Sequence, residues 1–501
     1  MGKFQKKDSQ KRLINQGKED STEKASKINA STPHELTNDR ITAFGGIFGL
    51  IKYFDLIHFE EIFKSTFIEP TRKPKNGCYS MLRGIIMLLF IGFSRLWHFK
   101  YFQTDPMICG IFNLSKLPDS STYWRFLDSM GLNQSYSFLK INSLLRERTW
   151  QLCGFNFKTI HLDIDTTVET VFGDIEGARK GHNTKYRGKK GMRPIIAFIE
   201  ETREYHYGKL RKGTTVSGNE CAKFIMNLKK YLPDCVKNVI LRADGEFISE
   251  ESCLAAEREG FEYIFANKRC LPPFKKKGWY RLKNQPGIEY NSCYYQPTGW
   301  SKKRHFVVMR ILKDKENDSM QCELPLFEDD HYEYRIFVTN KKGRPHQIIR
   351  EYDKRADCEN LVGESKREGL AAFPSKKFKN NHVFFQIVML TFNLWRYLKF
   401  FVAKKQLEKG EQQKTISKST ISGIKITEHP IVKHTARIAR LKLLFIGAKI
   451  VTHDHRTQIR YSIHDCRVEE FRNLLDFFDL LRKKKKPWES SDPWKYNKIV
   501  A

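Results

Sequence analysis

The sequence predicts an α/β protein whose mixed sheet is interrupted by a β-strand insertion and preceded by a helical segment. Three observations predict it. Residues 157–270 carry three strand-like runs and then alternating helix and strand patterns, the order of a mixed sheet with packed helices. Residues 271–340 stay rich in strands, aromatics and turns. Residues 41–150 instead space their apolar side chains at the helical period.

Residues 1–40 are rich in Lys, Gln, Ser and Asn and hold almost no large apolar side chain, the composition of a disordered basic arm. Residues 41–67 and 79–102 follow with helical spacing, and Pro118-Asp119-Ser120-Ser121 before an amphipathic run marks a helix start. The span 41–150 reads as a helical N-terminal DNA-binding domain, with a plain helical bundle as the alternative. The first part of the core, 157–270, opens on strict alternation: Ile160, Leu162 and Ile164 face one side of a strand, and His161, Asp163 and Asp165 the other. Further strands are expected at 192–200, 204–211, 238–244 and 261–266, with helices at 219–232 and 249–259. The insertion, 271–340, has strands at 288–295 and 305–311. Helix returns over 345–370 and 383–404, and 341–404 forms the second part of the core. Residues 405–501 form a C-terminal segment, a candidate for dimerisation. It holds a flexible connection at 405–430, an amphipathic helix over 468–481 and the cluster Arg482-Lys483-Lys484-Lys485-Lys486.

The formal net charge of the 501 residues is +32, which calls for a polyanionic partner, nucleic acid or anionic membrane. The longest apolar run, 84–93, is too short to span a bilayer and ends at Ser94 and Arg95. The polar start is not that of a secretory signal. The expected partner is therefore nucleic acid, and the expected location is the cytoplasm, at the nucleoid. A content of 37 Phe and 8 Trp fits a folded enzyme better than a basic tail. The 11 Cys form no C-x-x-C pair and read as reduced thiols, not as disulfides or a zinc site.

Chemistry concentrates at 352–366. On one continuous helix, Tyr352, Arg355, Glu359 and Lys366 would share a stripe roughly 60° wide. An exposed charged face with i,i+3 and i,i+4 pairs is the bland alternative. A carboxylate beside Arg or Lys stays ionised and can hold a divalent cation, while the cations can hold phosphate. Asp165 and Asp244 end two other strands, where ligands of open α/β sheets gather. With Glu359 they would make a three-carboxylate cluster that needs cations. Hard oxygen donors select Mg²⁺ or Mn²⁺, and two such ions serve phosphodiester cleavage and transfer.

The spacing Tyr352-x2-Arg355-x3-Glu359-x6-Lys366 resembles the Y-R-E-K signature of DDE transposases of bacterial insertion sequences. Asp165-Thr166-Thr167 resembles their first-strand motif, and Leu241-Arg242-Ala243-Asp244-Gly245-Glu246-Phe247 the segment with the second Asp. Glu176-Gly177-Ala178 and Gly181-His182-Asn183 resemble the loop between them. The resemblance runs from about residue 40 to 480. It implies a ribonuclease-H-like catalytic core with a β insertion before the helix that bears the Glu. It implies Asp165, Asp244 and Glu359 as catalytic, metal-holding residues for two Mg²⁺ or Mn²⁺ ions. Asp163 is the rival for the first place, and Asp165 is preferred because Thr follows it as in the motif. Tyr352, Arg355 and Lys366 would grip DNA phosphates. Trp300, with Trp279 as competitor, would stack on a flipped base, and the basic loop 179–193 would lie along the backbone. The implied activity is transposition: binding of terminal inverted repeats in double-stranded DNA, end cleavage, and joining of the 3′-OH to target DNA, by a homodimer. The alternatives are a nuclease of the same fold without strand transfer, and a domesticated DNA-binding protein.

Overall fold

The structure, a computed structural model, describes residues 28–181, 186–213, 218–312, 331–412, 423–454 and 456–483. Most of the basic arm, His182 and Asn183 of the loop, and Lys484, Lys485 and Lys486 lie outside the described residues.

Nine strands make one mixed sheet. In chain order they are β1 (Thr159–Thr166), β2 (Ile195–Ile199), β3 (Glu204–Lys209), β4 (Asn238–Ala243), β5 (Glu262–Asn267), β6 (Tyr280–Arg281), β7 (Ile288–Tyr295), β8 (Arg304–Leu312) and β9 (Tyr332–Thr339). Their spatial order is β6-β7-β8-β9-β5-β4-β1-β2-β3. β1 runs parallel to β4 and β4 to β5, whereas β2 and β3 are antiparallel. The alternation in β1 holds on one face, where Ile160, Leu162 and Ile164 are fully buried. β4 is buried on both faces apart from its first residue, as a central parallel strand is. The strands of 271–340 continue this sheet: β9 pairs antiparallel with β5, Ile336 opposite Asn267.

β3 is the sheet's edge, and two helices close it. These are α1 (Leu132–Cys153) and the long α4 (Phe378–Gln412). His206 bulges out of β3, since Tyr205 pairs with Phe198 and Tyr207 with Ala197. The backbone thus freed is taken by side chains. Asn393 Oδ1 accepts from Tyr205 N at 2.7 Å, and Asn393 Nδ2 donates back to Tyr205 O. Gln386 Nε2 donates to Gly208 O, and Arg146 Nη2 to Tyr205 O. A buried edge with unpaired amides would be costly, and these amide side chains stand in for a missing strand.

The apolar run at 84–93 belongs to helix Cys78–Ile91, whose residues 84–91 are all buried within the protein. Among the described residues, no helix is long and apolar enough to cross a membrane. All ten described cysteines are free.

Three expectations change. The connection expected to be flexible at 405–430 is, where described, helical at 405–412 and over Gly423–Glu428. Residues 40–42 form a strand that pairs with Ala448–His453 rather than the start of a helix, a contact 400 residues away that local periodicity does not encode. The helix expected over 345–370 is broken into α2 (Pro345–Asp353) and α3 (Ala356–Ser365), followed by a π-type turn, Lys366–Leu370. The cause is a buried arginine. In an unbroken helix the Glu351 carbonyl would accept from Arg355 N; here it accepts from Arg242 Nη1 at 2.6 Å. Arg355 N turns instead to Tyr352 O, and Cys358 N to Arg355 O, both at 2.8 Å. These i→i+3 bonds tighten the turn. Gly369, at φ 121°, ends the π turn in a conformation that other residues rarely adopt.

Candidate active site

The register of β1 and β4 sets the site. Ile164 lies opposite Ala243, so Asp165 and Asp244 project from neighbouring positions at the carboxyl ends of two parallel strands. Asp165 Oδ1 accepts from Thr166 N at 2.9 Å and lies 3.1 Å from Arg355 Nη2. That same guanidinium nitrogen donates to Ile164 O, which pins Arg355 to the strand. Asp244 Oδ1 accepts from Glu246 N. Burial pushes the Asp165 carboxyl up. Arg355 works against that rise, while the charges of Asp244 and Glu359 add to it, leaving it at about 6. Asp244 is likewise raised, by burial first, against the pull of Arg355. Around them Arg193 reaches Thr166 Oγ1 and pairs with Glu246, and Thr166 Oγ1 donates to Glu246 Oε2 at 2.9 Å.

Asp163 sits two residues earlier on the same face and is 2% exposed. Both its oxygens are held by Arg242, at 2.6 Å and 2.8 Å. This buried bidentate pair has a sequence signal: Arg242 stands inside the apolar strand Val239-Ile240-Leu241, where a cation needs a carboxylate.

Three of the four residues of 352–366 fall on three different elements, and Arg355 lies in the turn between two of them. Tyr352, on α2, packs against Phe337 with ring centroids 4.6 Å apart. Arg355 is buried in the turn. Glu359, on α3, is exposed, and among the described residues it has no hydrogen-bond or ion-pair partner. Its charge is nonetheless felt at Asp165. Lys366 reaches the segment just beyond the end of β1, where Nζ lies 3.2 Å from Glu169 Oε1 and 3.4 Å from Val168 O. Tyr352, Arg355, Asp165 and Asp244 are therefore brought into one electrostatic neighbourhood, with Glu359 at its solvent side.

Trp300 lies in the turn between β7 and β8, at the end of those strands remote from Asp244. The turn folds back along helix Glu250–Arg258, where Ser301 N and Oγ donate to Glu250 Oε1. The Arg304 guanidinium covers the Trp300 ring, 5.5 Å from its centroid. Trp279 stands toward the carboxyl ends of β4 and β5, with Arg310 4.1 Å over its ring. The basic loop 179–193, where described, forms with Glu169–Thr170 a small three-stranded flap rising from the end of β1.

Sequence reasoning did not single out a second polar group. Among the described residues, the three whose ligand atoms lie within 4.8 Å of one another are His161, Glu200 and Glu201. They are already engaged. His161 Nδ1 bonds Glu201 Oε1 at 2.7 Å, and His161 Nε2 bonds Glu351 Oε1 at 2.9 Å. Glu200 pairs with Arg242 at 2.8 Å. Burial pulls the imidazole down, but its hydrogen bonds to Glu201 and Glu351 outweigh it and lift it to about 9. The raised imidazole supplies the positive charge that balances these carboxylates.

No curated protein matches the chain. Among solved structures, the piggyBac transposase synaptic complex with hairpin DNA is 10% identical and aligns over 86% of this chain and 85% of that one, with a TM-score of 0.39. The Mos1 transposase paired-end complex with the left transposon end is 13% identical over 39% of this chain and 60% of that one, with a TM-score of 0.16. The family described as transposase DDE domain group 1 matches residues 25–427, four-fifths of the sequence. The chain belongs to that family of DDE transposases.

Proposed function

We propose that the chain is a metal-dependent transposase that binds terminal inverted repeats, cleaves the element's ends and joins the freed 3′-OH to target DNA. In this reading Asp165, Asp244 and Glu359 are the catalytic acids, and they hold two ions of Mg²⁺ or Mn²⁺. The observation that carries it is the pair of acids at adjoining strand ends, Asp165 lifted to about 6 by burial and by its acidic neighbours.

The donor set fits hard divalent cations. It is all carboxylate, and among the described residues Arg355 is the one cation at hydrogen-bonding range of Asp165 to answer its mutual repulsion. When bound, two such ions activate the attacking oxygen and stabilise the leaving one. The residues of the chain do the rest. Arg355, fixed by Ile164 O, keeps Asp165 oriented and holds a guanidinium charge beside the acids, where it would favour a phosphate. Tyr352 and Lys366 flank it as further phosphate contacts in the Y-R-E-K arrangement of insertion-sequence transposases. Arg242 keeps Asp163 out of the reaction. In the same reading 41–150 binds DNA, 157–270 and 341–404 make the ribonuclease-H-like core, 271–340 is the insertion, Trp300 contacts DNA, and two copies of the chain act on two ends.

The test is cleavage of duplex DNA that carries the element's own ends, with Mg²⁺ and the full chain. Asp244→Asn and Glu359→Gln are each expected to lower end cleavage on the order of 10³-fold or more while gel-shift binding persists. Either variant cutting at the wild-type rate would refute the acid assignment. Cutting without joining would leave a nuclease.

A further inference from the structure

The flap beside the site carries two exposed rings. Its strands are Glu169–Thr170, Lys190–Met192 and Arg179–Lys180. Glu169 is 4% exposed and Val171 likewise, which anchors the flap's base beside Lys366. Seven residues beyond Asp165, Phe172 turns outward and is 69% exposed. Tyr186, on the return arm, is 41% exposed. The two rings meet edge to face, centroids 5.9 Å apart and planes at 80°. That geometry leaves a face of the Phe172 ring open to solvent. Single exposed apolar side chains are ordinary, but two exposed rings in contact on a small flap make an aromatic step.

The surroundings choose the occupant. Arg179, Lys180, Arg187 and Lys189 are exposed on the same flap and pair with no carboxylate among the described residues. This cationic surface repels a second copy of itself and attracts a polyanion. An aromatic step among cations suits single-stranded nucleic acid, whose bases offer free π-faces while its phosphates meet the cations. Intact duplex offers the phosphates but keeps its base faces stacked. Trp300 differs in kind, because Arg304 already occupies its ring.

We propose that Phe172 and Tyr186 form a stacking step for unpaired bases of the DNA strand next to the cleavage centre, with Arg179, Lys180, Arg187 and Lys189 holding its backbone. The position of this step relative to the chemistry rests on the assignment of Asp165 and Asp244; the binding itself does not, so it is tested without divalent cations. Full-length protein is titrated with two fluorescent probes of one sequence, a fully paired duplex and the same duplex with a four-nucleotide unpaired flap. Wild type is expected to prefer the flap probe by between about 5- and 160-fold, the range set by one stacked base. Phe172→Ala should remove most of that preference with little change in duplex affinity, Tyr186→Ala should reduce it, and Phe172→Trp should retain it. A 2-aminopurine in the flap should be quenched by wild type and by Phe172→Trp, but not by Phe172→Ala. A preference and quench that survive Phe172→Ala overturn the proposal, as does equal binding of the two probes by wild type, which leaves the DNA-cleaving reading intact. Failure to bind either probe overturns both.

Discussion

Two acidic groups share one face of β1, two residues apart, and they are built to opposite ends. Around Asp163, every carboxylate finds a cation of the protein: Arg242 takes Asp163 and Glu200, and the imidazolium of His161 takes Glu201 and Glu351. Around Asp165, Arg355 is the one cation at ion-pair distance among the described residues, Arg193 acts on Asp244 only from farther off, and Asp244 and Glu359 add like charge. Ligand atoms come closest together in the first group, and negative charge is least compensated in the second. Proximity of donors is therefore a poorer guide to a cation site than unbalanced charge. The first group is a brace that also breaks the helix at Arg355; the second, in the proposed reading, is a site kept unstable without its ion.

Removing a cation from the brace should have the largest effect. Arg242→Leu leaves Asp163 buried and unpaired, so denaturant unfolding at pH 7 should show a loss of about 3–5 kcal/mol. A loss below 1 kcal/mol would mean that the pair is not the brace described here. Next comes pH. Folding raises the His161 imidazole from 6.5 to about 9, so its stabilisation is complete below about pH 6.5 and lost as pH rises through about 9. Stability should fall by on the order of 3 kcal/mol over that window, and His161→Gln should flatten the fall. The smallest effect has the opposite sign. Folding raises Asp165 to about 6, so the group favours the folded state only below its unfolded value and opposes it once pH passes about 6. Without divalent cations at pH 8, Asp165→Asn should gain on the order of 1–2 kcal/mol in thermal or denaturant unfolding, while end cleavage is lost. A destabilised Asp165→Asn would erase the contrast.

How much of this was legible depends on range. Strands with strict or continuous apolar pattern were readable, and the acids at the ends of β1 and β4 came with them. Ser249 ahead of helix Glu250–Arg258 was a local cap that sequence records directly. The continuity of 345–370 was misread because its break comes from Arg242, more than a hundred residues away, taking one carbonyl. The strand at 40–42 is set by a partner at 448–450 and leaves no local mark. For Trp300, the sequence shows an aromatic followed by basic residues but not that the Arg304 guanidinium covers its ring. The Asp163–Arg242 pair could have been inferred from a cation within an apolar strand; the His161 group could not, since its acids come from β1's neighbours and from α2.

The most direct test pits the two groups against each other with a metal. The full chain is melted at pH 7.5 with increasing MnCl₂, as wild type, Asp244→Asn and Glu201→Gln. The account predicts that Mn²⁺ raises the melting temperature of wild type and of Glu201→Gln alike, and that Asp244→Asn abolishes the rise. A rise that persists in Asp244→Asn and disappears in Glu201→Gln would place the cation at His161 and contradict the assignment of Asp165, Asp244 and Glu359.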